Sequence, residues 1–118
     1  MIRFLRLSFW AAAAFAFIMA TLPTMPPLPG EPTDKTLHAL AFFTLAVLGS
    51  WAYPRLPALK LGIGLCSFGA LIEIAQLVPM LNRQTDVGDW VVDAMAAATG
   101  LLCVSIARWV VRAPRQTV

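Results

Sequence analysis

The chain has 118 residues, of which 59% are hydrophobic and only 13% charged, with a mean hydropathy of +0.76; soluble domains carry roughly 45–50% apolar and about 25% charged residues. That balance excludes a separate soluble domain and indicates an integral membrane protein. A hydrocarbon core about 30 Å thick takes roughly 20 apolar residues in a helix, so this length allows about four crossings with short connections.

The first apolar segment, 7–22, follows Arg3 and Arg6 and ends at Pro23. Its basic flank and short apolar run also fit a signal peptide, but no clear Ala-x-Ala site precedes the loop that follows, so a first membrane helix is the better reading. The loop "PTMPPLPGEPTD" holds five of the nine prolines, which favours an extended, stiff connection over a helix. Thr33 or Asp34 can then cap a second helix over 35–51, stopped before Pro54.

After the short basic linker "YPRLPALK", a third segment runs over 59–77 before Pro79. Its Gly62, Cys66 and Ala70 recur every four residues, as do Ala94 and Ala98 in the fourth segment, 89–111. Small residues at that spacing allow helix backbones to approach closely where lipid gives no hydrophobic drive for association. Cys66 and Cys103 lie in apolar runs with no third thiol and no CxxC, so they read as packing residues, not a disulfide or thiolate metal site. Trp10, Trp51, Trp90 and Trp109, near segment ends, fit interfacial anchors.

Both termini are expected on the cytoplasmic side. That topology puts Arg3, Arg6, Arg55, Lys60, Arg108, Arg112 and Arg115 inside, against Lys35 and Arg83 outside, as the positive-inside rule requires. All six acids fall on or nearest to the opposite side. The net charge of +3 thus reflects topology beside anionic lipid and not a nucleic-acid partner.

Polar residues gather at that outer side. Asp34 and His38, and likewise Asp89 and Asp93, are four apart at helix starts, while Glu73 and Gln76 are three apart near a helix end. These spacings place each pair on one helix face. A rise of about 1.5 Å per residue puts His38, Glu73 and Asp93 at a similar depth. Ionised groups are costly in hydrocarbon and usually face a bundle interior or wet cavity, so a polar pocket open to the outside is expected. Plainer readings stand beside it: Asp34 and Asp89 as helix caps, Arg83 as a loop charge paired with Asp86, His38 as an interhelical hydrogen bonder. Glu73 and Asp93 sit a turn or more inside apolar segments, and their structural reading is as partners of His38, Arg83 or Lys35.

The blocks "DKTLHALAF" (Asp34, Lys35, His38, Phe42), "GALIEIAQ" (Gly69, Glu73, Gln76) and "RQTDVGDWVVDAMAAATG" (Arg83, Asp86, Asp89, Gly100) resemble the three motifs of the VanZ-like family. Those motifs read roughly D-K-x-x-H-x-x-x-F, G-x-x-x-E-x-x-Q and R-x-x-D-x-x-D-x-x-x-N-x-x-G. The resemblance covers residues 34–100, or 67 of 118. It departs at Asp93, where the family usually has Asn, and at Ala96, where it has Gly. The resemblance implies a small bacterial inner-membrane protein related to one associated with low-level resistance to the glycopeptide teicoplanin. Some relatives carry a phosphotransbutyrylase label, but that chemistry needs a Gly-rich nucleotide-binding loop, and none occurs on the cytoplasmic side.

Three functions fit these residues. The first is a cell-envelope protein whose site engages a lipid headgroup or lipid-linked wall precursor, with Lys35 and Arg83 on phosphate and the carboxylates on sugar or amine groups. The second is a membrane enzyme using Glu73 or His38 as general acid or base on such a substrate. The third, a small transporter, is disfavoured because the polar residues gather at one side only. One His with scattered carboxylates is a weak metal signature, so neither metal nor other cofactor is expected.

Overall fold

The computed structural model describes residues 1–21, 34–77 and 87–112. It contains four α-helices: α1 (Ile2–Thr21), α2 (Asp34–Ala52), α3 (Ala58–Ala75) and α4 (Val87–Arg112). The described residues contain no strand. Three stretches, Ile2–Thr21, Ala58–Ala75 and Gly88–Arg112, are long and apolar enough to cross a membrane, consistent with a membrane protein; the apolar stretch Thr36–Ala52 is shorter. At about 1.5 Å per residue that stretch covers about 25 Å, a little under a typical hydrocarbon core. Large side chains such as Phe15, Ile63, Met95 and Leu102 are exposed on the bundle surface, where a soluble protein would place charge.

Helix ends lie within one or two residues of the sequence expectation, except that α1 begins at Ile2 and not at residue 7. The physical reason is Arg6. Its Nε donates to the Ala52 carbonyl at 3.1 Å, and its guanidinium lies 4.7 Å from the centre of the Tyr53 ring. Both contacts are made from helical backbone, so the basic flank is part of the bundle. Trp10 Nε1 also donates to the Tyr53 hydroxyl at 2.8 Å. On the same end, Arg108 donates to the Ser50 carbonyl and lies 5.2 Å over the Trp51 ring.

Packing follows helical stripes. On α2, Phe42, Leu45, Ala46 and Ala52 are buried; on α3, Leu61, Leu65 and Ile72; on α4, Ala97 and Val104. Helix α2 contacts all three others and packs most extensively on α4. Gly100 permits that approach, since a Cβ there would stand 2.8 Å from Ala46 Cβ and 3.0 Å from the Phe43 carbonyl oxygen.

The small-residue stripes of α3 and α4 share one face of the bundle. Gly62, Cys66, Ala70, Ala94 and Ala98 face one another across a groove of about 730 Å³. The helices still meet closely at one edge of this groove, where a Cβ on Gly62 would stand 3.2 Å from Leu101 Cδ1. A second apolar groove, of about 630 Å³, lies between α1 and α3 and is lined by residues including Phe9, Leu65 and Phe68. Both cysteines are free; Cys66 is half-buried, whereas Cys103 is exposed. The packing role therefore suits Cys66 alone.

Hydroxyls on the apolar helices are satisfied locally. Thr44, Ser50, Ser67 and Thr99 each donate to the carbonyl four residues earlier, which lets a polar side chain sit in an apolar face at little cost.

Candidate functional site

At one end of the bundle the core stripes continue in polar residues. His38 lies one helical turn from Phe42 on α2. Asp89 and Asp93 occupy successive turns before Ala97 on α4, and Gln76 follows one turn after Ile72 on α3. Four polar side chains therefore occupy positions that apolar residues hold elsewhere along the same stripes: His38 is 7% exposed, Asp89 7%, Asp93 0% and Gln76 2%.

The centre of the group is a contact between α2 and α4. His38 Nδ1 lies 3.1 Å from Asp93 Oδ1 and 3.4 Å from Oδ2. With Asp93 accepting, Nδ1 is the donor of this contact. Half-buried Glu73 approaches from α3, and one ligand-type atom from each of His38, Glu73 and Asp93 lies within 4.8 Å of the other two. Gly69 makes room for this meeting. A Cβ on it would stand 3.2 Å from Asp93 Oδ2 and 3.4 Å from Phe42 Cζ.

Gln76 ties the site to α1, which the sequence did not suggest. As the C-terminal cap of α3, it donates from Nε2 to the Ala20 carbonyl at 2.8 Å, satisfying one of the acceptors left open at the end of α1. Its Oε1 is buried and receives no hydrogen bond from the described residues. Asp89 is in the first turn of α4, where the partial positive charge of a helix start favours a carboxylate. Trp90, beside it, donates from Nε1 to the Cys66 carbonyl at 3.1 Å and so fastens α4 to α3 near the site.

Of the residues expected at the site, the structure brings together His38, Glu73 and Asp93 and buries Gln76 and Asp89 at the same end. Asp34 and Lys35 form the first turn of α2, but their side chains lie outside what the structure describes, as do residues Arg83 and Asp86. The expected polar opening would be flanked by 22–33 and 78–86, also outside the described residues. Neither apolar groove is lined by His38, Glu73, Gln76, Asp89 or Asp93. The α3–α4 groove nevertheless starts beside them, at Ala70, Trp90 and Ala94.

Chemically, the arrangement can accept hydrogen bonds from hydroxyl or ammonium groups through its carboxylates, pass a proton through the oriented imidazole, or hold a cation. Comparison with models of known protein families, with curated proteins and with solved structures finds no match to this chain.

Proposed function

We propose that the chain is a VanZ-like, four-helix membrane protein of the bacterial inner membrane whose outward-facing polar site engages the headgroup of a lipid or a lipid-linked cell-envelope precursor. In this reading both termini are cytoplasmic and α2 crosses the bilayer with the other three, its shorter apolar length offset by close enclosure among them. The observation that carries the proposal is the meeting of His38, Glu73 and Asp93, from three different helices, in a chain with so little charge to place. Buried ionisable groups in membrane helices are costly and belong by default to functional sites. The carboxylates suit the hydroxyl or amine groups of a headgroup, while Lys35 and Arg83 would supply the contacts to phosphate. The α3–α4 groove beside the site has the apolar lining that an acyl or polyprenyl chain requires.

A role in envelope homeostasis, or in resistance to glycopeptides such as teicoplanin, follows from the motif resemblance. Lipids and lipid-linked wall precursors would be compared by mass spectrometry between a deletion strain and the same strain carrying wild type, Glu73→Gln or Asp93→Asn. A defined species should change on deletion. Asp93→Asn, which restores the residue usual in the VanZ-like motif and keeps an oxygen for His38, should rescue it; Glu73→Gln should not. Full rescue by both well-expressed variants would contradict the proposal.

A second reading has one specific observation in its favour. The Asp93–His38 hydrogen bond orients an imidazole as acid–base catalysts do, so a membrane enzyme using His38 or Glu73 on the same lipid-linked substrate is the alternative. Accumulation of one lipid-linked species in the deletion strain with matching depletion of a second, chemically related one would favour it.

A further inference from the structure

Two carboxylates and one imidazole from three helices converge in an apolar bundle. A headgroup phosphate brought to the same place would add a further negative charge, which a cation shared by these side chains would offset.

We propose that His38, Glu73 and Asp93 bind one divalent cation of the zinc or manganese type. The donor set is one imidazole nitrogen with two carboxylate oxygens, which suits first-row divalent metals; calcium wants six to eight oxygens. Ligand atoms on a shared cation with bonds of about 2.1 Å stand roughly 3 Å apart. The 3.1 Å between His38 Nδ1 and Asp93 Oδ1 already has that spacing, so the cation takes the place of the proton these atoms share. The widest separation in the trio, within 4.8 Å, closes by rotation of the longer Glu73 side chain. A second feature points the same way. Gln76, one turn from Glu73 on the same face of α3, is 2% exposed and carries a carbonyl oxygen, Oε1, with no hydrogen bond from the described residues. Such an atom suits a water held on the cation. Remaining coordination positions would accept water or the phosphate oxygens of a headgroup, so the cation would convert an acidic site into one that binds anions.

The site stands on its own geometry, and its failure is distinguishable from failure of the lipid reading. Lipid retention by protein that binds no cation would sink the cation site alone, and saturable cation binding by protein that retains no lipid would sink the lipid reading alone. Full-length protein in detergent, stripped with a chelator, would be titrated with ZnCl2 and MnCl2 by calorimetry, with MgCl2 and CaCl2 for comparison. One equivalent of zinc or manganese per chain should bind at micromolar concentration. Glu73→Gln and Asp93→Asn should each weaken it by about tenfold or more, His38→Ala should abolish it, and Ser67→Ala, away from the trio, should leave it unchanged. Bound Mn2+ in wild type should show pulsed-EPR coupling to one imidazole nitrogen, a readout that does not depend on whether any variant folds. Absence of saturable binding, binding unaltered by all three substitutions (an adventitious ion only), or bound Mn2+ without imidazole coupling would each overturn the proposal.

Discussion

His38 Nδ1 on α2 and Asp93 Oδ1 on α4 lie 3.1 Å apart although 55 residues separate them in sequence, and Asp93 has no exposed surface. This pair joins the two most extensively packed helices at the polar end of their shared face. Replacing Asp93 with Asn preserves an acceptor for His38 and should cost about 1 kcal/mol. Asp93→Leu leaves the imidazole donor buried without its acceptor and should cost about 2–4 kcal/mol. Thermal unfolding of both variants in detergent checks the order; equal melting points would show that the hydrogen bond has no structural role.

Gly69 is the neighbour that admits the Asp93 carboxylate. Gly69→Ala brings a methyl to 3.2 Å from Asp93 Oδ2, so the carboxylate must shift by a few tenths of an ångström. Gly69→Val should displace it further and destabilise the protein by about 1–3 kcal/mol. Melting temperature reads the cost. Complementation of the deletion strain should fall more steeply for Val than for Ala.

Gly100 and Gly64 make a matched pair in the apolar body. A methyl at Gly100 would meet Ala46 Cβ at 2.8 Å and the Phe43 carbonyl at 3.0 Å, whereas one at Gly64 meets nothing within 4 Å. Gly100→Ala should therefore force α4 away from α2 at about 1–3 kcal/mol, and Gly64→Ala should change stability by less than about 0.5 kcal/mol. Comparable melting points for the two would contradict the packing described here.

Arg108 closes the opposite end by donating to the Ser50 carbonyl and lying over Trp51. Arg108→Met keeps much of the apolar stem but loses the charged donor and the ring contact. The expected cost is about 1–3 kcal/mol, read as a lower melting temperature, and Arg108→Lys should recover only part of it because the planar fork is absent.

Much of the site was legible in the sequence because its signals are local. Spacings of three and four residues put Asp89 with Asp93 and Glu73 with Gln76 on single helix faces, and counting from Pro79 put Glu73 near the depth of His38. Relations between helices were harder to read. The repeat of Gly62, Cys66 and Ala70 suggested close helix approach without naming the partner helix; it lines a groove shared with α4, while Gly100 packs tightly on α2. Nothing in the chain marked the Ala20 carbonyl as the partner of Gln76, because a backbone acceptor carries no residue-type signature. The metal signature looked weak for a related reason: three donors spread over residues 38 to 93 become a cluster only when helix rotation is known.

The most direct test of the account is native mass spectrometry of the purified full-length protein released from detergent, with wild type compared with Glu73→Gln and His38→Ala. Wild type should retain one defined class of polar-headgroup or polyprenyl-linked lipid, and both variants should lose it while keeping wild-type helical content. The same lipid complement on all three proteins would contradict it, and would leave His38, Glu73 and Asp93 as a structural tie between helices.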